Sequence, residues 1–433
     1  MRAVVVVGAG LAGCEAALQC ARHGVPVRLF EMRPAGMTEA HQTGDVAELV
    51  CSNSLKSEET DNAHGLLKAE LRILGSVLLQ CADRARVPGG KALVVDRRRF
   101  SAEVQAELDK AGIEVVREEV TRILGGATTV IATGPLTSPA MADELGSALG
   151  ANRLFFYDAI APIVAADSID LTRVFEGSRY GAGSDYLNCP LNPHEYDRLV
   201  DELLGSELHP LHEFEPRFFE GCLPVEELAR RGRMVLAFGP MKPVGLHFPE
   251  NIERPLAVVQ LRRENAAGTM YNIVGFQTRL KRPEQERVFR LIPGLERAEF
   301  LRFGSMHRNT YLQSPRLLRP TLQVRRRPEI LIAGQLAGVE GYVESIGAGL
   351  VAGLNAARLN RREEPFVIPP QTMLGGLLAY LAGPNDDFQP MNANFGLLPP
   401  MPRQRGPDRH RAMTEQALAA VGVFAASVAG RRR

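Results

Sequence analysis

No stretch of the 433-residue chain approaches the roughly 18 to 20 continuous apolar residues that a membrane-spanning helix needs. The apolar runs that exist, near Ala3–Val7 and Ile330–Ala333, are strand-length. A charge excess is missing too: 51 basic and 50 acidic side chains leave a formal +1, so a polyanion has to be held by local patches. The six cysteines (Cys14, Cys20, Cys51, Cys81, Cys189, Cys222) contain no CxxC pair and no Cys/His spacing suited to zinc, which argues against a structural metal or a dithiol redox motif. Internal repeats and low-complexity segments are lacking, and Gly8, Gly10, Gly13 and Glu15 interrupt what could pass for a secretory signal. These absences leave an ordinary globular chain, expected in the cytoplasm with free thiols. Its 45% hydrophobic residues suffice for a large core in two domains or more.

The N-terminus is rich in pattern. A strand at Ala3–Val7, a glycine turn, a helix to about His23 and a strand at Val25–Glu31 form one βαβ unit. Its turn, Gly8-Ala9-Gly10-Leu11-Ala12-Gly13, satisfies the dinucleotide fingerprint in context, with Glu31 closing the second strand eighteen residues after Gly13. Gly8 permits the tight turn, Gly10 lets the backbone approach a pyrophosphate, and Gly13 lets helix and strand pack closely. The helix N-terminus faces the phosphates, and Glu31 is positioned to accept hydrogen bonds from the adenosine ribose. FAD rather than NAD is indicated by two remote segments found in two-dinucleotide-type flavoproteins: the strand end Ala132-Thr133-Gly134, and a late strand at Glu329–Ala333. The latter runs through Gly334 and Gly347 into a helix reaching about Asn360. Gly349 and Gly353 read equally well as close helix packing. No second GxGxxG exists, so NADH or NADPH is inferred only from the need to reduce a flavin.

Between these elements the spacing predicts a helical Gly65–Arg84, a strand at Ala92–Asp96, an amphipathic helix at Arg99–Ala111 and strands at Glu114–Val116 and Thr128–Gly134. The Gly36–Asn62 stretch is too long for a plain connection, and such stretches are usually either functional or disordered; its centre, Leu49–Leu55, reads as ordered. From about Phe155 to Phe303 the composition shifts to scattered Pro, Gly and aromatics. The expected architecture is therefore α/β: a discontinuous Rossmann-like, two-dinucleotide-type FAD-binding domain (1–155 and 304–433) carrying an inserted α+β substrate or tRNA domain (156–303).

Six segments in order, ELVCSNSLKS (48–57), GGKALVVDRRR (89–99), FFEGCL (218–223), FGPMKPVG (238–245), GSMHRN (304–309) and GQLAGVEGYVESIG (334–347), resemble the folate- and FAD-dependent tRNA uracil-5-methyltransferases over nearly the whole chain. Cys14 stands where that pattern has a small residue. The resemblance implies transfer of a methylene from 5,10-methylenetetrahydrofolate to carbon 5 of uridine 54 in the tRNA T loop, followed by reduction with flavin electrons. It implies no S-adenosylmethionine and points to no obligate protein partner. By the same resemblance Cys222 and Cys51 are the catalytic thiols, and His307 and Tyr342 approach opposite faces of the flavin with the pterin beside His307.

Residue chemistry is compatible with that implication. Carbon 5 of uracil becomes nucleophilic once a thiolate adds at carbon 6. Pro224, read as the first residue of a helix to Arg230, would put Cys222 near a helix N-terminus where thiolate is favoured. Cys14, Cys20, Cys81 and Cys189 read as small buried hydrophobes. Arg279, Lys281 and Arg282 suit the anionic glutamate tail of folate, or a solvated charged face. For tRNA the visible basic clusters are Arg97–Arg99, Arg262-Arg263, Arg279–Arg282, Arg316 with Arg319, and Arg325–Arg327. Two other readings use the same FAD domain: a flavin oxidoreductase or wobble-uridine modifier, against which FFEGCL and the lack of a long C-terminal extension count, and a flavin-bearing RNA-binding protein without turnover, which leaves the cysteine segments unexplained.

Overall fold

Four consecutive valines, Val4–Val7, are all buried, as a strand covered on both faces of a parallel sheet must be. They sit inside a six-stranded sheet whose order is Gln323–Val324, Arg327–Ile332, Thr129–Ile131, Val4–Val7, Val27–Phe30, Val115–Val116. All neighbours are parallel except the edge hairpin Gln323–Val324/Arg327–Ile332. The chain leaves Val4–Val7 toward Val27–Phe30 on one side and returns to Thr129–Ile131 on the other. The carboxyl ends of Val4–Val7 and Thr129–Ile131 therefore flank the topological switch point, where open α/β sheets bind ligands. The computed structural model describes residues 2–123, 125–150, 153–210, 223–400 and 407–430.

A second six-stranded sheet, antiparallel throughout, has the order Phe175–Glu176, Tyr186–Leu191, Ala257–Arg263, Met270–Ile273, Ile163–Ala165, Phe300–Arg302. It carries its own core, including Cys189, Tyr196, Leu261, Phe276 and Phe289. The first sheet shares a separate core with the helices Leu11–Arg22, Tyr342–Asn360 and Met373–Ala382. A long antiparallel ladder, Arg153–Ile160 against Ser305–Leu312, carries the chain out of the first unit and back.

Where the structure differs from the spacing, local chemistry gives the reason. The predicted helical run Gly65–Arg84 is two helices, Ala63–Ile73 and Val77–Arg84: Gly75 turns left-handed (φ 80°), and the Ser76 hydroxyl caps the second by accepting from Leu79 N. Pro224 is not the first helical residue but the N-cap of Val225–Arg230, with ψ 142°. Among the described residues no helix is long and apolar enough to cross a membrane.

Candidate active site at the dinucleotide crevice

The glycine turn behaves as its spacing predicts. Gly8 has φ 98°, and a Cβ there would lie 2.6 Å from Ala132 O, so the turn closes directly on the Ala132-Thr133-Gly134 strand end. At Gly13 a Cβ would lie 1.7 Å from Gly8 O, the close helix-to-turn packing that only glycine allows. Gly10 differs: a Cβ there would meet nothing within 4 Å, because its space opens into the crevice. Gly10 is also the N-cap of Leu11–Arg22 and offers no side-chain cap, leaving the first-turn N–H groups without an intrahelical acceptor. Gly334 and Gly341, which open Gln335–Ala337 and Tyr342–Asn360, likewise supply no side-chain cap. Gly8, Gly10, Leu11, Ala12, Glu31, Gly134, Gly334 and Tyr342 line one crevice, and a phosphate would complete the Gly10 end. Ala9 lies beneath, fully buried.

Glu31 is 6% exposed and already engaged: one oxygen accepts from Ala9 N at 2.9 Å, the other from Arg33 N at 3.0 Å and Arg33 Nε at 2.9 Å. Burial alone would raise its pKa; the hydrogen bonds and charge of Arg33 outweigh that and hold it below the ordinary value. A carboxylate has lone pairs beyond these bonds, so a ribose hydroxyl can still donate to it. Arg33 reaches on to Glu48 at 2.9 Å. Glu48 in turn accepts from Gln42 N and the Thr43 hydroxyl, ordering the start of the long loop. Sequence reasoning missed Arg33 and Glu48, although an arginine two residues after the ribose carboxylate was the available signal.

At the crevice's other end Tyr342 OH accepts from Cys51 N (2.9 Å) and Ser52 N (3.1 Å) and lies 3.0 Å from Cys51 Sγ. Two predicted residues nearly 300 positions apart are thus in direct contact. Burial pushes the Cys51 thiol up to about 11, helped by Asp158 and Glu340 and opposed by the Tyr342 hydrogen bond and Arg97. Cys20 and Cys81 are pushed up to about 12, and Cys14 and Cys189 are raised as well, all by burial, as inert core thiols should be. Cys222, the other predicted nucleophile, lies outside the described residues.

The crevice opens into a wide cleft of about 1430 Å³ between the two units, shared at Met32, Thr38, Glu119 and Pro135–Ser138. Lys281 and Arg282 line this cleft; Lys281 pairs with Glu207 at 2.7 Å, and the Arg282 guanidinium lies 5.6 Å from the Phe303 ring centre. The structure does not bring Arg279 to it: that guanidinium turns back to Glu227 at 2.9 Å. His307 is 6% exposed, with Nε2 3.0 Å from Ser305 Oγ and Nδ1 3.8 Å from Glu39; burial lowers its pKa despite Glu39. Gly347 does not line the crevice but packs on Leu374 and Leu71, while Gly349 and Gly353 face Ala12 O and Ala16 O.

In two clusters read as RNA contacts one arginine points inward, while Arg98 and Arg99 stay exposed. Arg97 donates to Leu49 O and, through Nε at 2.8 Å, to Glu264. Arg262 donates from Nε to Asn53 Oδ1 at 3.0 Å and from Nη2 to Ser52 Oγ at 2.9 Å. The fully buried Asn53 donates to Val95 O and Arg263 O. The ELVCSNSLKS and GGKALVVDRRR segments therefore clasp the inserted sheet to the first unit beside Cys51.

Residues 3–364 match the family model described as glucose inhibited division protein A. A methylenetetrahydrofolate--tRNA-(uracil-5-)-methyltransferase TrmFO of Moorella thermoacetica is 57% identical over 421 residues, 96% of each chain. The chain belongs to the TrmFO family. A TrmFO of Geobacter sulfurreducens is 54% identical over 432 residues, 98% of this chain and 99% of that one. Among solved structures, GidA of Aquifex aeolicus superposes with a TM-score of 0.72 at 17% identity, over 98% of this chain and 73% of its own. The likeness to GidA concerns the fold; membership of TrmFO rests on the sequence relatives.

Proposed function

We propose that this chain methylates carbon 5 of uridine 54 in the T loop of tRNA, taking the carbon from 5,10-methylenetetrahydrofolate with FAD in the crevice and NADH or NADPH as reductant. The observation that carries the reading is the Cys51–Tyr342 contact at the wall of a dinucleotide crevice that elsewhere, at Met32, Thr38 and Pro135–Ser138, opens into a cleft wide enough for two further ligands. The open space at Gly10, the uncapped helix beyond it and the carboxylate of Glu31 fit a pyrophosphate and ribose. When bound, FAD supplies the electrons that turn a transferred methylene into a methyl group.

The side chains carry the rest. Cys222 adds to carbon 6 of uracil so that carbon 5 can take up the one-carbon unit, and it leaves as thiolate when a base removes the carbon 5 proton and the 5,6 double bond re-forms. Cys51, hydrogen-bonded to Tyr342, handles a proton or the one-carbon unit beside the ring system. Tyr342 and His307 bound the space where flat rings stack, and Lys281 and Arg282 meet the glutamate tail of folate, Arg279 bracing from behind. Residues 156–303 form the unit that meets tRNA, with 1–155 and 304–433 holding the cofactor. The reading is tested by label transfer from methylene-labelled 5,10-methylenetetrahydrofolate to unmodified tRNA, with FAD and NADPH, for wild type, Cys51→Ala and Cys222→Ala. Labelled 5-methyluridine at position 54 with wild type only is expected; no transfer by flavin-loaded wild type overturns the reading.

A further inference from the structure

We propose that Arg97 is a positioning residue for Cys51, an electrostatic partner that sets how readily the thiol ionises, and that it is braced in this role from the inserted sheet through Glu264. The inference rests on the reading of Cys51 as a working thiol. Arg97 begins the helix Arg97–Lys110, and its side chain is only 18% exposed. Two of its three nitrogens are committed, Nη1 to Leu49 O two residues before Cys51 and Nε to Glu264. Its Nη2 is buried with no hydrogen-bond partner among the described residues. A buried guanidinium with an unused donor is costly unless an anion is expected there, and the anion this site can generate is the Cys51 thiolate.

A surface salt bridge would have no such arrangement. Glu264 is 2% exposed and follows directly on the strand Ala257–Arg263, so Arg97 is held from the inserted unit, while Arg262 on the same strand fixes the thiol's own loop by donating to Ser52 and Asn53. The other charges acting at Cys51 come from separate elements: Asp158 on Arg153–Ile160 and Glu340 before the late helix oppose ionisation, and Arg302 on Phe300–Arg302 supplements Arg97. Tyr342, raised well above the ordinary phenol value chiefly by burial, stays neutral and holds the thiol by hydrogen bond. With two carboxylates against two guanidinium groups, losing one cation tips the balance against thiolate.

The test is alkylation of Cys51 by iodoacetamide, followed on the Cys51 peptide by mass spectrometry after rapid pH jumps, so that each rate is read before the protein can unfold. Wild type, Arg97→Lys and the double variant Arg97→Met/Glu264→Gln are compared; the double variant removes both members of the pair and leaves no unpaired buried carboxylate. Expected is a wild-type inflection near 11, little changed in Arg97→Lys and displaced upward by about one unit in the double variant, a roughly tenfold slower reaction at pH 9 with the same plateau. An unmoved inflection, or a rate changed equally at every pH including the plateau, makes Arg97 a mere brace and overturns the proposal. Methyl transfer by Cys51→Ala is measured beside it: retained transfer would refute the catalytic reading of Cys51 while leaving the effect of Arg97 on the thiol intact.

Discussion

Adding one methyl group to the turn at two positions three residues apart separates folding from cofactor binding. At Gly13 the new Cβ would stand 1.7 Å from Gly8 O and 2.9 Å from Gly8 C. The obstructing atoms are backbone, and Gly8 cannot yield because it is itself packed against Ala132 O with φ 98°. Overpacking of this kind costs about 1–3 kcal/mol or more, against about 1 kcal/mol that alanine gains over glycine inside a helix. Gly13→Ala is therefore expected to unfold in less urea than wild type even as apoprotein. At Gly10 nothing lies within 4 Å and φ is −75°, so Gly10→Ala should cost the apoprotein less than about 1 kcal/mol, the usual loss at an N-cap. The same methyl would fill the space through which the backbone approaches a pyrophosphate, at a cost of about 2–3 kcal/mol, or roughly 30- to 150-fold in FAD affinity. Urea melts of the apoproteins and FAD titration by flavin fluorescence give both numbers. A Gly13→Ala apoprotein as stable as wild type, or a Gly10→Ala protein with unchanged FAD affinity, would refute the reasoning.

Arg33→Met should weaken FAD binding and loosen the loop at Gln42–Glu48, because it strips Glu31 and Glu48 of their shared cation while both remain shielded; limited proteolysis and FAD titration report the two effects. Glu70 is pushed up to about 8 by burial, although its bonds to Met373 N and Leu374 N oppose the rise. Since this folded value exceeds the unfolded one, the stabilisation is complete below the ordinary carboxyl pKa and is lost as pH rises toward 8; Glu70→Gln should flatten stability against pH across that window in urea melts. Asn53→Ala, which leaves Arg262 Nε, Val95 O and Arg263 O without a partner at the seam, should destabilise the protein by about 2–4 kcal/mol, measured by the same melts; a loss under 1 kcal/mol would show that the seam is wet or slack.

The dinucleotide half was legible because its constraints are local. The spacing of Gly8, Gly10 and Gly13 encodes a turn whose every contact lies within one βαβ unit or on the adjacent strand end. The Cys51–Tyr342 contact was legible only in parts: each residue stood in a distinctive segment, but their contact joins a loop to a late helix through the packed core. Arg33 was missed because its role depends on the chain turning back on Glu31. The break at Gly75 was missed because a strong apolar periodicity continues through it, and only the Ser76 hydroxyl marks the new helix start.

Arginine in short runs misleads for a related reason. Arg97 and Arg262 look alike in sequence to Arg316 and Arg327, yet the first two point inward to Glu264, Leu49, Asn53 and Ser52 while the others pair with surface acids, Asp386 and Glu329. A charge run fixes how much phosphate a surface could neutralise, not which side of the chain it faces. If Arg97 and Arg262 are spent on the seam, tRNA affinity must come from arginines elsewhere, and its salt dependence should discriminate. Arg262→Gln should change the slope of log affinity against log salt by less than half a unit, whereas a residue that contacts phosphate changes it by about 0.9. Filter binding of unmodified tRNA between 50 and about 200 mM salt measures this, and a full-unit change for Arg262→Gln would return that residue to the RNA interface.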